Sequence, residues 1–217
     1  QQFISLENKP AIQAISEIFQ VESKLVSVPI NIFKSNKIII NINAGDYLPQ
    51  RKYPVQHFVE LIRKLHKQNS SFQFILTGSI LELNYTNNLT KQLDKYGINY
   101  KNTAGKLSLS ELATLLKNAQ IFITNDSGPL HLAYYCKTPT VAIWGPTSAK
   151  LVGYPDSYLM RNVFIKKVCS PCFIHPKSKV AKACSNNIDC FQELEPIKIF
   201  NVVLDLYLSL NKKANAK

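Results

Sequence analysis

The chain has 217 residues, 46% of them apolar and 18% charged, a composition that argues against extended disorder and fits one large or two small globular domains. No apolar run approaches the roughly 20 residues needed to cross a bilayer, and the N-terminus lacks the basic-then-apolar layout of a secretory signal, so the expectation is a soluble, cytoplasmic protein. The net charge of +12 suits an anionic partner (a sugar nucleotide, an anionic lipid surface or nucleic acid), and its basic residues are spread along the chain, 4 before residue 38, 11 from 38 to 149 and 11 after, with no basic arm.

The first residue is Gln1 where a processed start normally leaves a small residue, so the expectation is a chain that begins inside a longer polypeptide. Pro10 stands at a first helical position, followed by Ile12, Ile15, Ile18 and Phe19 at helical spacing and by a Val/Pro-rich stretch to Pro29; residues 1–36 read as an inter-domain entry segment. The pattern then alternates. A strand is predicted over Lys37 to Asn43, and a helix from Pro54 with Phe58, Leu61, Ile62 and Leu65 on one face. A strand over Phe72 to Thr77, a helix from about Ile80 to Lys95 and a short strand near Ile98 to Tyr100 follow. Ser108-x-x-Glu111 forms a capping box for a helix carrying Leu112, Leu115 and Leu116. Gln120 to Thr124 reads as a strand that runs into a helix, and Thr140 to Trp144 as the last strand. Strands alternating with helices predict an α/β fold, a Rossmann-like parallel sheet with helices on both faces over residues 37–195, followed by a C-terminal helix and basic tail over 196–217.

In such sheets ligands bind beyond the carboxyl ends of the strands. Four loops qualify: Asn43 to Pro54, Thr77 to Glu82, Asn125 to His131, and Trp144 to Thr147. Each carries Gly with hydroxyl, carboxylate or cationic groups, the polar kit for a nucleotide diphosphate. The third is the most informative, because a strand turning into a helix leaves unpartnered N–H groups and a positive dipole end where a phosphate can sit. Gly128 permits close backbone approach, Ser127 offers a hydroxyl, and His131 a donor to diphosphate or sugar. Asp126 repels phosphate and suits orienting the loop or a sugar hydroxyl. Taken alone, an ordinary capped helix with Pro129 near N1 and a structural histidine explains the same residues. Arg51 and Lys52 precede a helix start, where a cation can neutralise a departing diphosphate, although such a pair is usually surface. Glu82 can accept from a ribose diol, or can simply favour the first turn of a helix. No G-x-G-x-x-G and no G-x-x-x-x-G-K-[ST] occurs, which demotes dinucleotide and P-loop readings.

Cys169-x-x-Cys172, Cys184 and Cys190 lie in a Pro- and Lys-rich stretch with His175 nearby. Four thiols there fit a structural metal site, disulfides or two free pairs; the second spacing departs from a standard zinc ribbon. Cys136 reads as a small core residue.

The ordered motifs resemble the C-terminal half of glycosyltransferase family 9, the ADP-heptose:lipopolysaccharide heptosyltransferases. They are the Ala44-Gly45 loop leading to Arg51-Lys52-Tyr53-Pro54, which is similar to K-R-W-P; Leu76-Thr77-Gly78-Ser79 with Glu82; Ala104-Gly105-Lys106 with Ser108-Leu109-x-Glu111-Leu112; Thr124 to His131; and Pro139-Thr140-x-Ala142-x-x-Gly145-Pro146-Thr147. Cys169-Ser170-Pro171-Cys172 and the later cysteines are similar to a tail found in many members.

The resemblance implies the C-terminal, donor-binding domain of a GT-B enzyme, which transfers a sugar with inversion and no catalytic metal or other cofactor. It matches Arg51 to the phosphate-binding Lys, with Lys52 beside it, and Glu82 to the ribose-binding carboxylate. Asp126, Ser127, Gly128 and His131 match the loop around diphosphate and heptose. Asp46 and Tyr47 stand where the family commonly has hydroxyl residues, and nothing here matches the N-terminal region that carries the family's catalytic Asp. The implied partners are an ADP-heptose-like donor and a lipopolysaccharide-type or other glycan acceptor, for a cytoplasmic protein whose charge also suits a peripheral place at the anionic inner face of the cytoplasmic membrane. A non-catalytic nucleotide-sugar module is the alternative. A basic, Cys-coordinated nucleic-acid binder is less favoured, since the aromatics do not interleave with Lys and Arg.

Overall fold

The computed structural model describes residues 35–45, 48–172 and 189–215, with side chains left out at Pro49, Asp189 and 213–215. The entry segment expected over 1–36 lies almost wholly outside the described residues, as do Asp46, Tyr47, His175 and Cys184.

Six strands form one parallel sheet: β1 (Lys37–Asn41), β2 (Gln73–Thr77), β3 (Tyr100–Asn102), β4 (Ile121–Asn125), β5 (Thr140–Ile143) and β6 (Met160–Val163), in the spatial order β3-β2-β1-β4-β5-β6. The helices are α1 (Val55–Gln68), α2 (Leu83–Lys95), α3 (Leu109–Lys117), α4 (Gly128–Tyr135), α5 (Ala149–Val152), α6 (Asp189–Gln192) and α7 (Pro196–Asn215), with short 3-10 turns at Pro49–Arg51 and Ile80–Glu82. The predicted doubly wound α/β architecture is what the chain forms.

The apolar runs in the strands are continuous because both faces of the sheet are covered. Ile38 and Ile40 face one layer with Ile121, Ile123, Val141 and Ile143, against Phe58, Leu61, Ile62 and Leu65 of α1 and Ile199, Val203, Leu206 and Leu210 of α7. Ile39 points the other way, to Ile75, Phe122, Leu116 of α3 and Ala133 of α4. Helix α7 is therefore built into the same core as the sheet. Cys136 is buried in the second layer, as its sequence context suggested.

Two elements depart from the sequence reading. The third strand begins at Tyr100, because Ile98 is spent on ending α2: Gly97 takes a positive φ of 61°, Ile98 N–H donates to Leu93 O at 3.3 Å, and the Ile98 side chain drops into the core. Thr140–Ile143 is not the last strand. Beyond it β6 pairs along the outer edge of β5. Its Arg161 and Asn162 are only half-buried between buried Met160 and Val163, so it offers neither an apolar run nor an alternation. Among the described residues no helix is long and apolar enough to cross a membrane.

Candidate functional site

Chain order reverses between β1 and β4, and open parallel sheets bind ligands at that point, beyond the strand carboxyl ends. A cleft of about 440 Å³ opens there, walled by the loops after β1, β2 and β4 and by the start of α3. Arg51, Glu82, Ser127 and Gly128 line it together.

Its floor is polar. Asn41, at the end of β1, donates through Nδ2 to Asn43 O at 3.3 Å, Thr124 Oγ1 at 3.3 Å and Ser127 Oγ at 3.1 Å, tying β1 to the β4 loop. Asn43 Nδ2 donates to Thr77 O at 3.2 Å, tying β1 to β2. Gly78 makes room for this amide, since a Cβ there would lie 2.3 Å from Asn43 Nδ2. Asn125 clamps the first loop: its Nδ2 donates to Ile42 O at 2.7 Å and its Oδ1 accepts from Tyr53 N–H at 3.2 Å. Two acceptor-capable atoms of the cleft walls, Asn43 Oδ1 and Thr77 Oγ1, are buried without a hydrogen-bond partner among the described residues.

The charged groups are arranged around that floor. Arg51 Nη2 donates to Ala44 O at 2.8 Å, and Nη1 lies 3.5 Å from Asp126 Oδ2, a carboxylate only 6% exposed. Asp126 thus holds the guanidinium at the cleft rather than forming its wall. The carboxylate of Glu82 is a tie between loops: Oε1 accepts from Gly45 N–H at 3.0 Å, and Oε2 from both Ser79 N–H and Ser79 Oγ at 3.0 Å.

At the start of α4, Ser127 is the N-cap residue, but its hydroxyl is engaged by Asn41 rather than by the helix. Pro129 has no N–H and Leu130 N–H is bonded to Ser127 O at 3.0 Å, which leaves the Gly128 amide without an acceptor among the described residues. Among the described residues, and apart from its chain neighbours and its own helix backbone, nothing comes within 4 Å of where a Gly128 Cβ would stand. His131, one turn on, bonds through Nδ1 to Tyr154 Oη at 2.9 Å. Burial holds its pKa below the ordinary 6.5, Asp126 pulls it up and Arg51 pushes it down.

His131 is not among the residues lining the cleft, and the remaining candidates lie elsewhere. Lys52 is not a wall of the cleft: its ammonium sits 5.1 Å from the centre of the Tyr85 ring. Cys169 is exposed, Cys172 half-buried and Cys190 buried, and Cys184 is outside the described residues. Among the described residues no three His, Cys, Asp or Glu side chains converge as a metal site. The 169–172 segment docks on the β5 loop, with Ser170 Oγ donating to Gly145 O at 2.6 Å and Cys172 N–H to Pro146 O at 3.0 Å.

Asn41, Asn43 and Thr77 were not singled out from the sequence. The available signal was two asparagines at i and i+2, flanking Ile42, directly after a run of three isoleucines, a costly place for amides unless they serve a site.

The sequence profile of glycosyltransferase family 9 (heptosyltransferase) matches residues 7–183. The chain is similar to lipooligosaccharide heptosyltransferase 2 of Campylobacter jejuni subsp. jejuni serotype O:6, 26% identical over 203 residues, covering 93% of this chain and 61% of that protein. The solved structure of E. coli ADP-heptose lps heptosyltransferase II superimposes with a TM-score of 0.61 at 20% identity, covering 90% of this chain and 50% of that one. The glycosyl transferase family 9 structure from Veillonella parvula DSM 2008 gives 0.64 at 18% identity, covering 93% and 53%. These two structures share the fold. The chain spans about half to three-fifths of the length of these relatives.

Proposed function

Because this chain belongs to glycosyltransferase family 9, the heptosyltransferase family, we propose that its strand-end cleft binds the nucleoside diphosphate sugar donor, an ADP-heptose, for transfer to a lipopolysaccharide-type acceptor. The observation that carries this reading is the convergence at the β1/β4 switch point of one guanidinium with one helix-terminal amide and two buried polar side-chain atoms that have no partner among the described residues.

In this reading the Arg51 guanidinium and the Gly128 N–H meet the diphosphate, and Glu82, while tying Gly45 to Ser79, accepts from the ribose with its remaining lone pairs. Leu107, Leu109 and Leu112 supply an apolar wall for the base. The acceptor hydroxyl oxygen attacks the anomeric carbon from the face opposite the diphosphate, the bond from that carbon to the phosphate oxygen breaks, and the configuration inverts. Negative charge builds on the departing diphosphate, and each preorganised donor facing it is worth about 2.7–4 kcal/mol in the transition state. The hydroxyl proton passes to a base outside the described residues, since Glu82 is committed to Gly45, Ser79 and the ribose, and Asp126 to Arg51. Transfer is assigned no metal, and the cysteines a structural place outside the donor cleft. The charge of +12 supports work against an anionic membrane face.

Calorimetry with ADP, UDP and GDP tests the reading. Saturable binding, tightest for ADP and unchanged by a chelator, is expected; no saturable binding of any of the three at millimolar concentration overturns it.

A further inference from the structure

Tyr154 lies between α5 and β6, 4% exposed. Its ring stacks on Tyr134 of α4, with centroids 3.6 Å apart and planes 5° from parallel. It also packs against His131, with centroids 5.6 Å apart at 70°. The hydroxyl is 2.9 Å from His131 Nδ1 and has no other hydrogen-bond partner among the described residues.

A buried phenol has one hydrogen to place, and burial raises the Tyr154 pKa, so the group stays protonated. Were the imidazole proton on Nδ1, it would point at the phenol oxygen, and the phenol hydrogen would be left without an acceptor in a buried site. The satisfied arrangement has Tyr154 donating and Nδ1 accepting. An Nδ1 that accepts carries no proton, and burial favours the neutral ring. The single imidazole hydrogen is then on Nε2, which has no partner among the described residues.

We propose that Tyr154 is a positioning residue: its hydroxyl donates to Nδ1 and fixes His131 as the Nε2–H tautomer, leaving that N–H as a donor for the diphosphate sugar. The role of the N–H toward the donor rests on the function proposed above; the tautomer does not. Gly128 and Pro129, at the start of the same helix, line the cleft, and His131 follows two residues further along α4, just outside that lining. The packing of Tyr154 on Tyr134 fixes the angle at which its hydroxyl approaches the ring.

The test is a long-range ¹H–¹⁵N spectrum of the imidazoles in the ¹⁵N-labelled 217-residue chain, with the His131 signals identified by their loss in His131→Gln. In the parent at pH 8, Nε2 protonated and Nδ1 bare is expected; a protonated Nδ1 overturns the proposal whatever any variant does. Tyr154→Phe keeps the ring stack and removes only the hydroxyl. Without that bond to the neutral form, and with Asp126 and Arg51 still the charged groups facing the ring, the His131 titration moves to higher pH. A folded Tyr154→Phe protein whose His131 titrates unchanged also overturns it. ADP affinity at pH 8 falls roughly 2–10-fold in that variant, the worth of one hydrogen bond, while adenosine affinity holds. Equal loss of both removes the donor role of the N–H. Failure of the parent to bind ADP at all counts against the donor site and leaves the tautomer result standing.

Discussion

Arg51 and Asp126 come from loops 75 residues apart and meet beside the cleft, Nη1 to Oδ2 at 3.5 Å, while the other end of the guanidinium is fixed on Ala44 O at 2.8 Å. An arginine held on two sides presents its charge in one place. Arg51→Ala is expected to weaken ADP about 10–100-fold, the range for hydrogen bonds to a charged group, and to leave adenosine nearly unchanged. Calorimetry on both ligands checks it; equal losses in a folded variant remove Arg51 from the phosphate site.

Glu82→Gln replaces one carboxylate oxygen by an NH₂ that cannot accept. Either Gly45 N–H or the Ser79 pair then loses its partner. A stability loss of about 1 kcal/mol is expected in urea titration, since the site is exposed, together with weaker binding of ADP and adenosine alike. Unchanged binding of both ligands would take Glu82 out of the ribose contact.

Two glycines separate folding from binding. A Cβ at Gly78 would collide with Asn43 Nδ2 at 2.3 Å, so Gly78→Ala is expected to destabilise by about 1–3 kcal/mol. Gly128 lines the cleft and a Cβ there meets nothing within 4 Å among the described residues beyond its neighbours and its own helix, so Gly128→Ala is expected to keep its Tm and lose ADP affinity. Melting curves alongside calorimetry distinguish the pair; a Gly128→Ala protein that binds ADP normally contradicts the placement of the diphosphate.

The half-buried imidazole also gives stability a direction in pH. The folded-state pKa of His131 lies below the ordinary 6.5, so the unfolded chain binds more protons in that window. Its contribution is fully present above 6.5 and is lost as pH falls toward and through the folded value. Unfolding free energies at pH 8 and 5.5 should differ less in His131→Gln than in the parent. Equal differences would mean that the group is not held neutral.

How much of this was legible depended on sequence distance. The βαβ alternation, the Ser108–Glu111 capping box and the loops at the strand ends are local patterns, and the structure contains each of them. The edge strand β6 was illegible because a strand paired on one side needs no apolar run; Arg161 and Asn162 disguise it. The site itself depends on pairs far apart in the chain. Gly45 with Glu82 and His131 with Tyr154 are set by the sheet order, and no spacing rule reports them. Lys52 had the right charge beside Arg51, but Tyr85, from α2, takes its ammonium.

The central claim is that a nucleoside diphosphate occupies the β1/β4 cleft, and backbone ¹H–¹⁵N shifts during ADP titration test it most directly. The largest movements are expected at Gly45, Gly78, Ser79 and Gly128, with small ones at Lys150 and Lys166, which line a separate cavity at the β5–β6 edge. Movements centred on that second cavity, with the four cleft residues unmoved, would contradict the account.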